Sequence, residues 1–271
     1  MRLTTTITIA LSLSLVACDQ APQDPLTLET RTDRIVNGQE EAGFDGVGAM
    51  TLQRRNQYFG SFCSGVLIDD NWVLTAAHCI TGAQEMATMS GFNLAANHIH
   101  FMIGPDARPR IGGRPRSGTF YQANGVWVHP NYVEGDANEQ RNRNNDIALV
   151  RLENSVDATV YPIYRQPIDN LVGTNLRYVG FGVSNGNGEG EGGGVKRSTT
   201  LPVQSVSWVQ YSTRHVNSGV CYGDSGGPGL YQQGGRYNVV GINSTVSGQQ
   251  PACLTQSNQV RVDAYTTWID G

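Results

Sequence analysis

Three side chains of this protein stand in distinctive local sequences and could act together. Ser225 lies in GDSGGP, His78 lies in TAAHC, and Asp146 comes directly before an apolar run in NDIAL. A serine hydroxyl is a weak nucleophile until a neighbouring base removes its proton. A histidine can be that base, and a buried carboxylate can hold the histidine in the required tautomer. These residue types therefore predict covalent catalysis in which Ser225 attacks an acyl group.

The glycines beside Ser225 fit that chemistry. A serine between glycines can sit on a tight turn with its hydroxyl exposed, and backbone N–H groups on that turn can point at a developing oxyanion. Each motif also has a simpler interpretation when it is taken alone. GDSGGP would then be a glycine-rich turn with an incidental serine, and Asp146 would be a turn residue or a cap.

The five histidines of the chain differ in their surroundings. Small alanines beside His78 leave space for a partner and a substrate. His129 precedes a proline and is expected to be structural. The remaining three are expected at the surface: His98, His100 and His215.

Short β-like runs are the elements that would carry these residues. From residue 35 onward, apolar runs of a few residues alternate with Gly, Pro, Asn and Asp, a pattern typical of a barrel or a sandwich. Residues 263–269 are expected to form a terminal helix. The length of 271 residues fits one all-β domain with a leader, and the 33 glycines fit many turns.

The charge composition excludes some classes of protein. Charged residues make up only 15% of the chain, which excludes a charged disordered protein, and the net charge of −4 argues against a protein that coats nucleic acid. The loop Ala107–Gly118 carries four arginines. It could bind heparin or nucleic acid, but a solvated loop is favoured, so no nucleic-acid partner is expected.

The first 34 residues predict export. Residues 1–17 contain one cation and an apolar stretch shorter than the roughly 20 residues that span a bilayer, so we interpret them as a signal peptide. The sequence LVAC, ending at Cys18, resembles the bacterial lipobox and predicts a lipid there as the only membrane attachment. An ordinary secretory signal that leaves Cys18 unmodified is the alternative. The polar residues 18–34 are interpreted as a propeptide or linker.

The motifs IVNG, TAAHC, DIAL and GDSGGP, in this order within residues 35–271, resemble those of the chymotrypsin/trypsin-like serine endopeptidases. The chain order His78, Asp146, Ser225 matches that family and differs from the orders in subtilisin and the α/β-hydrolases. With its leader, the chain resembles an exported, lipoprotein-type bacterial member. The resemblance implies two six-stranded antiparallel β-barrels, a short C-terminal helix and a cleft between the barrels.

The resemblance also implies roles for individual residues. Ser225 would attack the scissile carbonyl, His78 would carry the proton, and Asp146 would orient His78. The amides of Gly223 and Ser225 would stabilise the oxyanion. Ser244 matches a family serine that supports the aspartate.

Activation by proteolysis is a further implication of the family. Cleavage after Arg34 would free the amine of Ile35, which would fold inward and pair with Asp224. The chain would therefore be made as an inactive precursor. In this interpretation an activating protease is one partner, and protein or peptide substrates are the others.

The resemblance assigns four of the five cysteines to two disulfides, Cys63–Cys79 and Cys221–Cys253. Cys18 belongs to neither pair. Metal ligation is the competing use of cysteines, but CxxC spacing and histidine clustering are absent from the sequence, so we expect no metal and no cofactor.

Three positions of the family's substrate pocket suggest its specificity. Gly219 stands where trypsin-like enzymes carry the aspartate that binds Lys or Arg, and Val246 and Ser257 align with the pocket walls. Bulkier wall residues shorten the pocket in elastase-like relatives, so a preference for small or medium apolar P1 residues is expected. Such an enzyme would not cut after its own Arg34 and would need another protease.

Two questions of function stay open at the level of sequence. A catalytically inactive binding protein with the same fold is the alternative to an active protease, and broad proteolysis is not distinguished from action on a single target. We expect a monomer that is exported to a bacterial cell envelope, held there by the lipid as a precursor, or secreted after activation.

Overall fold

The computed structural model describes residues 35–271 except 37, 56, 111–112, 114, 116, 134–144, 186–192, 216 and 248–251. The chain divides into two units, residues 1–31 and residues 32–271, and every described residue belongs to the second. The predicted signal peptide, Cys18, the propeptide and Arg34 lie outside the described residues.

Six strands close into a first antiparallel barrel. They are β2 (Val47–Arg54), β3 (Gln57–Asp69), β4 (Trp72–Thr75), β5 (Ile99–Ile103), β6 (Thr119–Val128) and β7 (Ala148–Leu152), joined in the order β2-β3-β4-β7-β6-β5. The pairing of β5 with β2 closes the ring. Fully buried apolar side chains fill its interior, as expected for a small barrel; they include Val47, Met50, Val66, Leu74 and Phe101.

Six further strands close a second barrel. They are β8 (Asn175–Gly180), β9 (Arg197–Val206), β10 (Gln210–Arg214), β11 (Pro228–Gln233), β12 (Arg236–Ser247) and β13 (Gln256–Arg261), joined in the order β9-β10-β13-β12-β11-β8. The pairing of β8 with β9 closes this ring. The short strand β1 (Gln39–Glu40) pairs with β9 at the side of the barrel.

Helices are few in the described part of the chain. The helix α1 (Ala77–Met89) follows β4, and α2 (Thr266–Asp270) ends the chain. Short 3-10 turns occupy Ala96–His98, Ile168–Leu171, Ala252–Leu254 and Val262–Tyr265. No helix among the described residues has both the length and the apolar character needed to cross a membrane.

The predicted fold class is confirmed, because both six-stranded antiparallel barrels and the short C-terminal helix are present. Two details differ from the expectation. The terminal segment begins with a 3-10 turn at Val262–Tyr265 and becomes α-helical only at Thr266. The helix α1 was not predicted, because the apolar face it buries consists largely of small alanines.

Both expected disulfides are present. Cys63 in β3 is bonded to Cys79 in α1, and Cys221 is bonded to Cys253. The first bond ties the helix that carries His78 to a strand of the first barrel. Disulfides persist in oxidising compartments, so these bonds fit an extracellular protein.

Candidate active site

Strand pairing brings His78 and Asp146 together. In the antiparallel pair β4–β7, Thr75 lies opposite Ala148. The chain leaving β4 and the chain entering β7 are therefore neighbours. His78 lies in the first turn of α1, directly after β4, and Asp146 lies two residues before β7.

The carboxylate of Asp146 is fully buried and holds His78 at two points. Its Oδ2 lies 2.7 Å from His78 Nδ1, and its Oδ1 accepts the backbone N–H of His78 at 2.8 Å. The hydroxyl of Ser244 donates to Oδ2 at 2.5 Å. An ionised carboxylate can only accept hydrogen bonds, so the proton shared with Asp146 is carried by Nδ1 of His78. Nε2 is then the nitrogen with a free lone pair, which can act as the base.

The charge state of Asp146 follows from opposing effects. Burial acts to raise the pKa of its carboxyl group, but the charge of His78 and the hydrogen bonds from His78 and Ser244 act against it. The balance holds the pKa below its usual value. Asp146 is therefore ionised at neutral pH and can stabilise a positive charge on His78.

Ser225 lies on a tight turn just before β11. Gly223 and Gly226, on either side of it, have φ of +93° and +78°. A Cβ at Gly226 would also collide with the Thr75 hydroxyl and the Ser64 carbonyl oxygen, so both the conformation and the space require glycine. Among the described residues, no acceptor takes the N–H of Gly223 or of Ser225. Two backbone donors on this turn are thus free to bind an anion.

Ser225 and His78 line the same cavity, which has a volume of about 170 Å³. The two side chains come from different barrels, since His78 follows β4 and Ser225 precedes β11. Seven other residues complete the lining: Val220, Cys221, Tyr222, Asn243, Ser244, Thr245 and Val246.

Of the three residues predicted to form the substrate pocket, Val246 lines this cavity, whereas Gly219 and Ser257 border His215. The expectation that His215 lies at the surface is wrong, because it is 4% exposed. Its Nδ1 donates to the carbonyl of Cys253 at 2.9 Å, and its Nε2 accepts the Ser257 hydroxyl at 2.9 Å. A Cβ at Gly219 would collide with the imidazole.

His215 was missed because its two partners are 38 and 42 residues away in sequence. Burial lowers its pKa to about 4, and the hydrogen bond to Cys253 opposes this only in part. His215 is therefore neutral near pH 7 and fills the space into which a side chain at position 219 would project.

The other histidines agree with the expectations. His98 and His100 are partly exposed. His129 contacts the rings of Tyr265 and Trp268, with ring centroids 5.2 and 5.1 Å away, and so packs the end of the chain on the first barrel.

Asp224, next to the serine, is fully buried and bound by the backbone. Its Oδ1 accepts the N–H of Gly182 and its Oδ2 accepts the N–H of Cys221, each at 2.8 Å. Burial raises its pKa to about 6, although these hydrogen bonds and the charge of Arg197 act in the opposite direction. Ile35 is also fully buried.

One group of side chains in the described residues has the composition of a metal site, Cys63, His78 and Cys79, whose ligand atoms lie within 4.8 Å of one another. The two sulfurs are joined in a disulfide and cannot act as thiolate ligands. The two cysteines of this group therefore serve as a disulfide that fixes the start of α1, where His78 lies.

Comparison with known proteins gives a family and several animal relatives. The profile of the family Trypsin matches residues 35–269. The chain is 27% identical over 249 residues to the phenoloxidase-activating enzyme 1 of Spodoptera litura, covering 83% of this chain and 63% of that protein. It is 29% identical over 235 residues to the complement C1s subcomponent of Sus scrofa, covering 76% and 31%.

A shorter relative, the chymotrypsin of Phaedon cochleariae, is 27% identical over 252 residues, covering 87% of this chain and 80% of that protein. The chain thus spans less than two thirds of the length of the first two relatives. All three come from animals, so they give no support to a bacterial origin. The chain belongs to the trypsin family of serine-type endopeptidases.

Proposed function

We propose that this domain hydrolyses peptide bonds through an acyl-enzyme on Ser225. The observation that carries the proposal is the placement of Ser225 across one cavity from His78, which Asp146 fixes in the Nδ1-protonated tautomer. His78 Nε2 takes the hydroxyl proton as Ser225 attacks and then gives it to the leaving amine. Water, activated in the same way, releases the acid and restores Ser225.

The oxyanion formed in each step would be bound by the N–H groups of Gly223 and Ser225. The support is that no described acceptor takes either donor. Preorganised donors of this kind are effective because they need no rearrangement as charge develops, and losing one typically costs about 2.7–4 kcal/mol.

We also propose that the domain is made as an inactive precursor and is activated by cleavage after Arg34. Two buried residues support this, Ile35 next to the proposed cleavage point and the carboxyl group of Asp224. Burying a carboxylate is costly unless a cation pairs with it, and breaking a buried pair costs about 3–5 kcal/mol. The new amine of Ile35 would supply that cation and fix the turn that carries Ser225.

Activation would also release the domain from a lipid anchor. Neither disulfide includes Cys18, so a cut after Arg34 would leave no covalent link to a lipid on that residue. The proposed location is the cell envelope for the precursor, with secretion of the active form as a monomer.

The variant Arg34→Gln tests the activation proposal. It is expected to show less than about 1% of the mature rate on a peptide substrate, because no buried pair would form and the oxyanion donors would lose their order. Intact-mass measurement of cell-associated and released forms gives both N-termini and any lipid on Cys18. Full activity from an uncut chain would refute the proposal, as would an active form that still carries the lipid.

For the substrate, we propose small or medium apolar P1 side chains. The cavity beside Ser225 is lined by Val220 and Val246, and His215 fills the space behind Gly219, where a carboxylate for Lys or Arg would otherwise stand. An enzyme of this kind would not cut after Arg34, so a separate activating protease is part of the proposal.

The variant Val246→Gly tests the assignment of the pocket. Removing this side chain from the cavity wall is expected to raise kcat/KM for aromatic P1 residues by about 10- to 200-fold relative to alanine at P1. Profiling on a peptide library measures this ratio. The exposed Val172, replaced by glycine, is the matched control. An unchanged ratio in Val246→Gly would show that the substrate side chain binds elsewhere.

A further inference from the structure

We propose that Ser64 is a positioning residue for the oxyanion site, an inference that rests on the proposed role of the turn at Ser225. Ser64 belongs to β3 of the first barrel and is fully buried. Its hydroxyl donates to the carbonyl of Gly223 at 2.9 Å, and its backbone N–H donates to the carbonyl of Ser225 at 2.8 Å. Ser64 therefore donates a hydrogen bond to the carbonyl of the residue before Asp224 and to that of the residue after it.

The direction of the Ser64 hydroxyl is determined by its second partner. The N–H of Phe181 can only donate, and it reaches Ser64 Oγ at 3.0 Å. The oxygen must therefore accept from Phe181 and use its single proton for Gly223. One side chain thus connects three segments: β3, the residues after β8 and the turn that carries Ser225.

The carbonyl oxygen of Ser64 extends this network toward the histidine. It accepts the hydroxyl of Thr75 at 2.9 Å, and Thr75 is the last residue of β4, three positions before His78. Ser64 consequently lies between the turn that presents the nucleophile and the strand that leads to the base.

The hydrogen bond to Gly223 matters because glycine restrains its own backbone weakly. Gly223 has φ of +93° and no side chain, so the residue itself restrains the peptide groups on its two sides very little, and hydrogen bonds must hold them in place. The peptide group that carries the Gly223 N–H is held by the N–H of Val183, which donates to the carbonyl of Tyr222 at 2.8 Å. The peptide group on the other side of Gly223 is held by the N–H of Asp224, which donates to the carbonyl of Cys221 at 3.0 Å, and by the bond from Ser64, which is the side-chain restraint on the turn beside the Gly223 N–H. That N–H is one of the two free donors of the oxyanion site.

The variant Ser64→Ala removes the hydroxyl and keeps the backbone N–H. We expect kcat to fall by about 10- to 100-fold, less than the loss of an oxyanion donor, while KM changes by less than about threefold. Inhibition by a peptide boronate, which places an oxygen in the oxyanion site, should weaken by the same factor as kcat. Binding of the corresponding peptide amide, measured by competition, should not change.

Two further variants separate this role from a general effect on folding. Ser64→Gly should behave like Ser64→Ala, since both lack the hydroxyl. Ser212→Ala removes another buried hydroxyl, which bonds Ser205 in the second barrel, and should leave kcat unchanged. All rates are divided by the concentration of sites that react with an organophosphonate.

The outcomes distinguish this inference from the proposed function. If the wild-type mature form does not react with the phosphonate, the proposed function fails. If it reacts and Ser64→Ala retains the wild-type kcat per active site, the inference about Ser64 is wrong. Equal weakening of boronate and amide binding would also overturn it, because the hydroxyl would then support the cavity as a whole.

Discussion

Replacing Ser225 with alanine is expected to lower kcat on a peptide substrate by about 10⁶-fold, because the acyl-enzyme can no longer form. The substitution removes one oxygen from a half-buried side chain and leaves the glycines of the turn in place. The melting temperature should therefore stay close to that of the wild type. The measurement is initial rate on the mature form, together with a thermal unfolding curve.

The matched control for this variant is Ser155→Ala, at an exposed serine. It should keep the wild-type rate. If Ser225→Ala were folded and retained more than about one hundredth of the wild-type kcat, nucleophilic attack by Ser225 could not be the main route of hydrolysis.

The variant Asp146→Asn is expected to lower kcat by about 10⁴-fold with little change in KM, as the same exchange does at the equivalent carboxylate in this family. The asparagine amide can donate to His78 Nδ1, so that the proton of the imidazole moves to Nε2. The nitrogen that faces the cavity then cannot accept a proton from Ser225. The measurement is kcat on a peptide substrate at neutral pH, together with a thermal unfolding curve that should show the fold retained.

Asp157→Asn, at an exposed aspartate, is the control and should have no effect. A large rise in KM with an unchanged kcat would contradict the account, because it would mean that Asp146 serves substrate binding rather than the tautomer of His78. Ser244→Ala removes only one of the hydrogen bonds to Asp146, so its effect should be smaller than that of Asp146→Asn.

Much of the candidate site could be predicted because its chemistry is encoded in short segments. The sequence NDIAL places an acid at the start of a buried strand, and TAAHC places a histidine at the end of another. The register that sets Thr75 opposite Ala148 then brings the two together. Asp146 and His78 are thus recognisable from their neighbouring residues, and the pairing of β4 with β7 places them within hydrogen-bond distance of each other.

Residues whose role depends on distant contacts could not be found in this way. Ser64 bonds the carbonyl of Gly223 across 159 positions, and nothing in its neighbouring sequence indicates a partner. His215 was expected at the surface because an isolated histidine among polar residues usually lies there. Only the folded chain places Cys253 and Ser257 where they satisfy both of its ring nitrogens.

Reaction with an organophosphonate tests the central claim, that Ser225 is a nucleophile activated by His78, most directly. The mature form beginning at Ile35 should acquire one adduct, located on Ser225 by peptide mapping, and the variant His78→Ala should react at least about 1,000-fold more slowly. An adduct at another residue would contradict the claim. So would a folded mature form that does not react, a result that would favour an inactive binding protein built on the same fold.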